Sequence, residues 1–152
     1  LDSTKNNLER QKEVFIEQLN LAKELDLPII VHCRKLHDEV IKILNKDFRS
    51  VIHCFTGSLK QAQAYLNLGF YLSFTGLITY DRSYDKVILN TGLEKILLET
   101  DCPFLAPAPY RGKRCEPWMV KFTAQKIAEI KNIGFDKVIE KTTKNAERLF
   151  KI

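Results

Sequence analysis

A chain of 152 residues, 45% hydrophobic and 28% charged, has the length and composition of one folded domain and excludes the disordered and fibrous classes. Its 24 basic against 19 acidic residues give a net charge of +5, a bias toward polyanions such as nucleic acid that an ordinary solvated helical surface also carries. No apolar run is long enough to span a bilayer, so no membrane partner is expected, and residues 1–7 lack signal-peptide anatomy.

Residues 8–25 place Phe15, Leu19 and Ala22 at helical spacing and end just before Pro28. Residues 28–33 form a short β-branched run, expected as a buried strand. A helical pattern returns over 36–46, and residues 50–55 read as a second buried strand. Ser58 and Gln61 have capping-box spacing, with Gly69 where a residue just past a helix end belongs. Residues 70–74 predict a third strand, 84–90 a short helix stopped near Gly92, and 95–99 a fourth strand. A proline-rich segment follows (Pro103, Pro107, Pro109, Pro117), expected as an ordered loop anchored by Phe104, Leu105 and Trp118. Pro117 suits the first turn of a helix reaching about Lys131. Asp136 is expected to cap the last helix, which ends near Phe150.

This alternation predicts an α/β fold of about four parallel strands with right-handed crossovers, one domain over residues 1–152. Cys33, Cys54, Cys102 and Cys115 form no C-x-x-C pair and no disulfide framework, which points to a reducing cytosol.

Three polar residues close predicted strands: His32, His53 and Asp101. The carboxyl edge of a parallel sheet is where ligands bind. Side chains alternate along a strand, so His32 shares a face with Ile30, His53 with Val51, and Asp101 with Leu97 and Glu99. One buried histidine is ordinarily a satisfied core residue. Two histidines and an aspartate at equivalent strand ends also fit coordination of Zn²⁺, Mn²⁺ or Fe²⁺, with Mg²⁺ within reach, and spacing alone leaves both readings open. Glu99 reads either as a carboxylate behind such a site or as a partner for a basic residue. Glu116 either shapes the basic loop or caps a helix. Phe55 and Phe74 read as core, while Tyr80 and Trp118 are candidates for base stacking.

The motifs LPIIVHCR (27–34), IHCFTG (52–57), LETDCPFL (98–105) and RGKRCEP (111–117) resemble, in order and spacing, those of the TatD deoxyribonuclease family. The closing TTKNAERLF (142–150) is similar to the family's last helix. The resemblance implies the C-terminal half of a TIM (β/α)8 barrel and a metal-dependent hydrolase that cleaves DNA, often as a 3′→5′ exonuclease on single strands. It implies two divalent metal ions (Mg, Mn or Zn) in the complete protein. His32 and His53 match the family's histidines on one metal. Asp101 matches the aspartate near the other, where it also holds the attacking water. Arg34, Arg111, Lys113 and Arg114 are the candidates for gripping substrate phosphates. The family's His-x-His pair and its Glu on a middle strand have no counterpart here. A barrel of this class needs about 250 residues, so roughly 100 are expected to precede Leu1. Cys115 stands where Asn is common, and Lys35-Leu36-His37 departs from the family pattern.

Two other readings compete. One is a metallohydrolase of small amides, esters or lactones. The other is a non-catalytic module: four strands alone would leave two open edges and an uncovered inner face, which invites self-association.

Overall fold

A computed structural model describes residues 1–152. Four strands, β1 (Ile29–His32), β2 (Ser50–His53), β3 (Tyr71–Phe74) and β4 (Ile96–Leu98), form one parallel sheet in the order β1-β2-β3-β4. Helix α1 (Leu8–Glu24) precedes the sheet. Helices α2 (His37–Ile43), α3 (Leu59–Asn67) and α4 (Asp85–Asn90) connect successive strands, and α5 (Val120–Lys131) and α6 (Phe135–Phe150) follow β4. The expected α/β alternation is therefore present, with each strand a residue or two shorter than the apolar run that marks it.

The local chemistry accounts for most boundaries. Asn7 caps α1 by accepting from the Arg10 N–H. Ser58 and Gln61 form the capping box of α3, and Gly69 just beyond it has φ 90°, a conformation that glycine adopts without strain. Strand β2 stops at His53 because Cys54 turns into the left-handed region at φ 44°. Helix α2 ends at Ile43, short of the expected residue 46. Leu44 is already extended at ψ 148°, and Asn45 Oδ1 accepts from the Asp47 N–H in a side-chain turn that competes with the helix. Asp136 does not cap α6: the helix starts at Phe135 with Gly134 at the cap position and no side-chain cap, so Asp136 lies in the first turn.

The two faces of the sheet differ. Val31, Ile52, Leu72 and Ile96 point toward the helices and join Tyr65, Phe70, Ile88, Ile127 and Val138 in a core cluster of 20 buried residues. On the opposite face Val51, Tyr71 and Leu97 meet Leu149 of α6, flanked by Ala146 and Phe150. The inner face is thus covered at its lower end, contrary to the expectation of a bare surface. It stays open near β1, where Ile30 is 60% exposed.

Helix α6 reaches that position through a stripe of Val138, Thr142, Asn145 and Leu149, all buried. Asn145 is the polar pin of the stripe. Its amide donates to the carbonyls of Leu93 and Ile96, each at 2.8 Å. Asn145→Ala removes the side-chain donor from the buried Ile96 carbonyl and leaves the Leu93 carbonyl with only the Ile96 N–H, and it is expected to cost about 1–3 kcal/mol. Urea unfolding checks this, and a loss below 0.5 kcal/mol (order of magnitude of a surface change) would contradict the pinning role.

Candidate metal centre

Parallel register carries His32 and His53 to the same level: the two residues are paired across β1 and β2, and their rings lie 6.2 Å apart. Asp101 follows β4, and its Oδ1 is 3.5 Å from His53 Nε2. The three candidates therefore converge on one cleft of about 490 Å³ at the carboxyl edge of the sheet, which Arg34 and Phe104 also line.

Glu99 organises this cluster. Its Oε2 accepts from His53 Nδ1 at 2.9 Å, and its Oε1 accepts from the Cys54 N–H at 2.6 Å. A carboxylate only accepts, so His53 donates from Nδ1, and in the neutral ring this leaves the lone pair on Nε2, which faces the cleft and Asp101. The Glu99 hydrogen bond raises the His53 pKa above its ordinary value, more than burial lowers it. Strand parity makes Glu99 inward-facing. Its two partners are visible only in three dimensions: it stands behind His53 and pairs with no lysine or arginine.

Asp2 belongs to no motif and is not among the candidates. Leu1 and Ser3 bond to Arg34 as a parallel extension beside β1, which brings Asp2 Oδ2 to 3.7 Å from His32 Nε2. Thr4 donates to Asp2 Oδ1 through its N–H at 2.8 Å and its hydroxyl at 2.6 Å, and these bonds hold the Asp2 carboxyl below its usual pKa. Two residues at a chain start show no periodicity, so no sequence signal marked them.

No three His, Cys, Asp or Glu side chains close on a single point. The donor chemistry nonetheless fits a divalent cation in kind: two imidazoles, one with its far nitrogen held by a carboxylate, and the Asp101 carboxylate beside them. The set amounts to part of a coordination shell. Cys54 does not extend it as a thiolate, because burial pushes its thiol up to about 11.

The basic candidates separate. Arg34 lines the cleft, whereas Arg111, Lys113 and Arg114 lie on an adjoining loop outside its lining. That loop is fastened near the site, since the Cys115 N–H donates to the Pro103 carbonyl at 3.0 Å. Arg111 lies 4.4 Å over the Tyr80 ring, and Arg114 pairs with Glu116 at 3.2 Å. Glu116 thus shapes the loop and makes no side-chain cap. Phe55 and Phe74 are buried core, as expected. Trp118 packs on Tyr110 and Phe122 and is 48% exposed.

The third histidine, His37, is buried at the start of α2 against Phe55, with Nδ1 3.2 Å from the Tyr65 hydroxyl and Nε2 unpartnered. Burial lowers its pKa below 6.5. The folded state therefore refuses a proton that the unfolded chain accepts. The His37 contribution to stability is complete above pH 6.5 and declines as pH falls toward the lowered value. His37→Phe should remove that component. The stability difference between wild type and variant, measured in urea from pH 7.5 to 5, is expected to change with pH; a flat difference would refute it.

Fold and donors together define a class: a parallel α/β protein with an imidazole–carboxylate cluster at the carboxyl edge of its sheet, the arrangement in which barrel metallohydrolases keep their ligands. The chain belongs to the TatD related DNase family, whose profile matches residues 1–151. It is 45% identical over 148 residues to the uncharacterized metal-dependent hydrolase YabD of Bacillus subtilis, covering 93% of this chain and 58% of YabD. It is 35% identical over 144 residues to the human deoxyribonuclease TATDN3, covering 93% of this chain and 52% of that protein. The crystal structure of YJJV, a TatD homolog from Escherichia coli, superposes with a TM-score of 0.93 at 32% identity, over 100% of this chain and 61% of that one. The chain thus spans a little over half the length of the relatives it matches.

Proposed function

We propose that the full-length protein is a divalent-metal-dependent deoxyribonuclease acting 3′→5′ on single-stranded DNA. The observation that carries this reading is the His53 imidazole, held at Nδ1 by Glu99 with its Nε2 facing Asp101 across 3.5 Å. Bound divalent ions, two in the complete protein and Mg, Mn or Zn by donor type, would polarise the phosphodiester and lower the pKa of water. His32 and His53 would hold one of them as neutral imidazoles. Asp101 would orient the water and accept its proton at a carboxylate oxygen. Arg34, at the cleft wall, would pair with a phosphate, and Arg111, Lys113 and Arg114 would steer the following backbone. The name of the human relative supports DNA as substrate, and four free thiols suit a reducing cytosol.

The same reading makes residues 1–152 the C-terminal half of a (β/α)8 barrel, one partial domain completed by strands of the same polypeptide. A groove of about 730 Å³ along α1 and β1 supports it, because Val14, Leu21, Leu27 and Ile30 are exposed there beside a sheet edge that residues 1–3 pair only at its carboxyl end. That surface is where a preceding βα unit would pack. The 152-residue chain by itself is expected to have weak activity or none. Light scattering of this chain is expected to show a monomer; a stable dimer would favour the interaction-module reading, with a second copy on the groove.

The functional test is release of nucleotides from single-stranded DNA by the full-length protein with Mg²⁺ or Mn²⁺, alongside a panel of lactones, esters and amides. DNA is expected to be cleaved, and His32→Ala to abolish cleavage. Turnover confined to the small substrates would replace the nuclease with the small-molecule metallohydrolase.

A further inference from the structure

The loop that follows Asp101 departs from expectation in one respect. Phe104 was expected to anchor it, yet Phe104 is 67% exposed, and the loop is anchored by the small buried cluster of Ala106, Cys115 and Met119. The backbone around Phe104 is nonetheless tied down. Its own N–H donates to the Asp101 carbonyl at 2.8 Å, the Pro103 carbonyl accepts from Cys115, and the Ala108 N–H donates to Thr79 Oγ1 at 2.7 Å. The Leu105 carbonyl and Pro107 pack so closely on Gly76 that a Cβ there would meet the carbonyl oxygen at 2.6 Å. Leu105 adopts φ 55°, an uncommon conformation for a non-glycine residue.

This bracing fixes the backbone that carries an aromatic side chain which is not itself packed away. Phe104 lines the same cleft as His32, His53 and Asp101. An aromatic face held on a braced loop beside the reacting centre is suited to stack on a base, and it does so without base selectivity because every base has a π-face. We infer that Phe104 is the stacking platform for the nucleotide whose phosphate enters the His32–His53–Asp101 cleft, and so selects nucleic acid over phosphodiesters that lack a base. This rests on the deoxyribonuclease reading and adds to it a substrate-binding residue that sets KM.

The test uses the full-length protein, wild type and Phe104→Ala, Phe104→Tyr and Phe104→Trp. Each is assayed with divalent metal on a single-stranded oligonucleotide and on an identical strand whose residues at the cleaved end lack bases. The wild type is expected to show a KM roughly tenfold or more lower for the base-bearing strand. Phe104→Ala should abolish that preference by raising KM on the base-bearing strand, and both aromatic variants should retain it. Three results would overturn the assignment: an undiminished preference in Phe104→Ala, no preference in the wild type, or a fall in kcat on both strands together with a lowered Tm. The last would mean that Phe104 packs against the rest of the protein. If the wild type cleaves neither strand, the deoxyribonuclease reading itself fails and the stacking role goes with it, a result distinct from the other three because no KM exists to compare.

Discussion

Asp101→Asn in the full-length protein is expected to lower kcat on single-stranded DNA by about 10³-fold, within the range of 10²–10⁴ for loss of a positioned proton acceptor. Asn keeps the shape of the side chain and removes its charge and basicity. The fold has little reason to respond. The bond that shapes the following loop runs from the Phe104 N–H to the Asp101 backbone carbonyl, and the carboxylate itself is 41% exposed. The variant should therefore keep the Tm of wild type within about 2 °C, a shift that corresponds to well under 1 kcal/mol. Excess metal should not restore the rate, because proton acceptance and orientation of water are lost along with charge. His32→Ala differs on this point, since it removes a donor and leaves the acceptor in place. A rate within threefold of wild type (about 0.6 kcal/mol in activation free energy) would remove Asp101 from the chemistry.

Much of this arrangement was legible because strands of a parallel sheet are buried on both sides and announce themselves as β-branched runs. Val51-Ile52 is such a run; Ile29-Ile30-Val31 has the same composition although Ile30 is exposed, and the polar residue that ends each one stands at the carboxyl edge. Parity then put Val31 and Ile52 on the helix side and His32, His53 and Glu99 on the other, as found. What sequence could not supply is contact between distant elements. Leu149 is four residues from the chain's apolar-periodic stripe member Asn145, yet its packing on Val51, Tyr71 and Leu97 depends on where α6 crosses the sheet. Asp2 reaches His32 only because two residues extend beside β1. Phe104 is apolar and lies between Pro103 and Leu105, so a burial rule assigns it to the loop's core; the left-handed Leu105 turns the chain instead.

Glu99→Gln is expected to weaken divalent-metal binding 10- to 100-fold, the usual cost of removing the partner behind a ligating histidine. The reason is a count of lone pairs. Glu99 takes two donors at once, His53 Nδ1–H and the Cys54 N–H. Gln offers a single acceptor oxygen. The Cys54 amide is fixed in the backbone and claims it, which leaves the Gln NH₂ facing His53 Nδ1. A donor there stabilises the opposite tautomer, with the proton on Nε2, where a cation needs a lone pair. The pH dependence separates this from a simple loss of packing. In the wild type the raised His53 pKa makes a proton compete with metal, so affinity climbs as pH rises through that value. Without the carboxylate the His53 pKa falls, so in the variant the climb is complete at lower pH while the plateau is lower. Competition of Zn²⁺ or Mn²⁺ between the full-length protein and a coloured chelator, from pH 5.5 to 8.5, reads both midpoint and plateau. Unchanged curves would mean that His53 is not a ligand. A lowered plateau with an unmoved midpoint would mean that Glu99 acts through the Cys54 backbone turn and leaves the imidazole tautomer untouched.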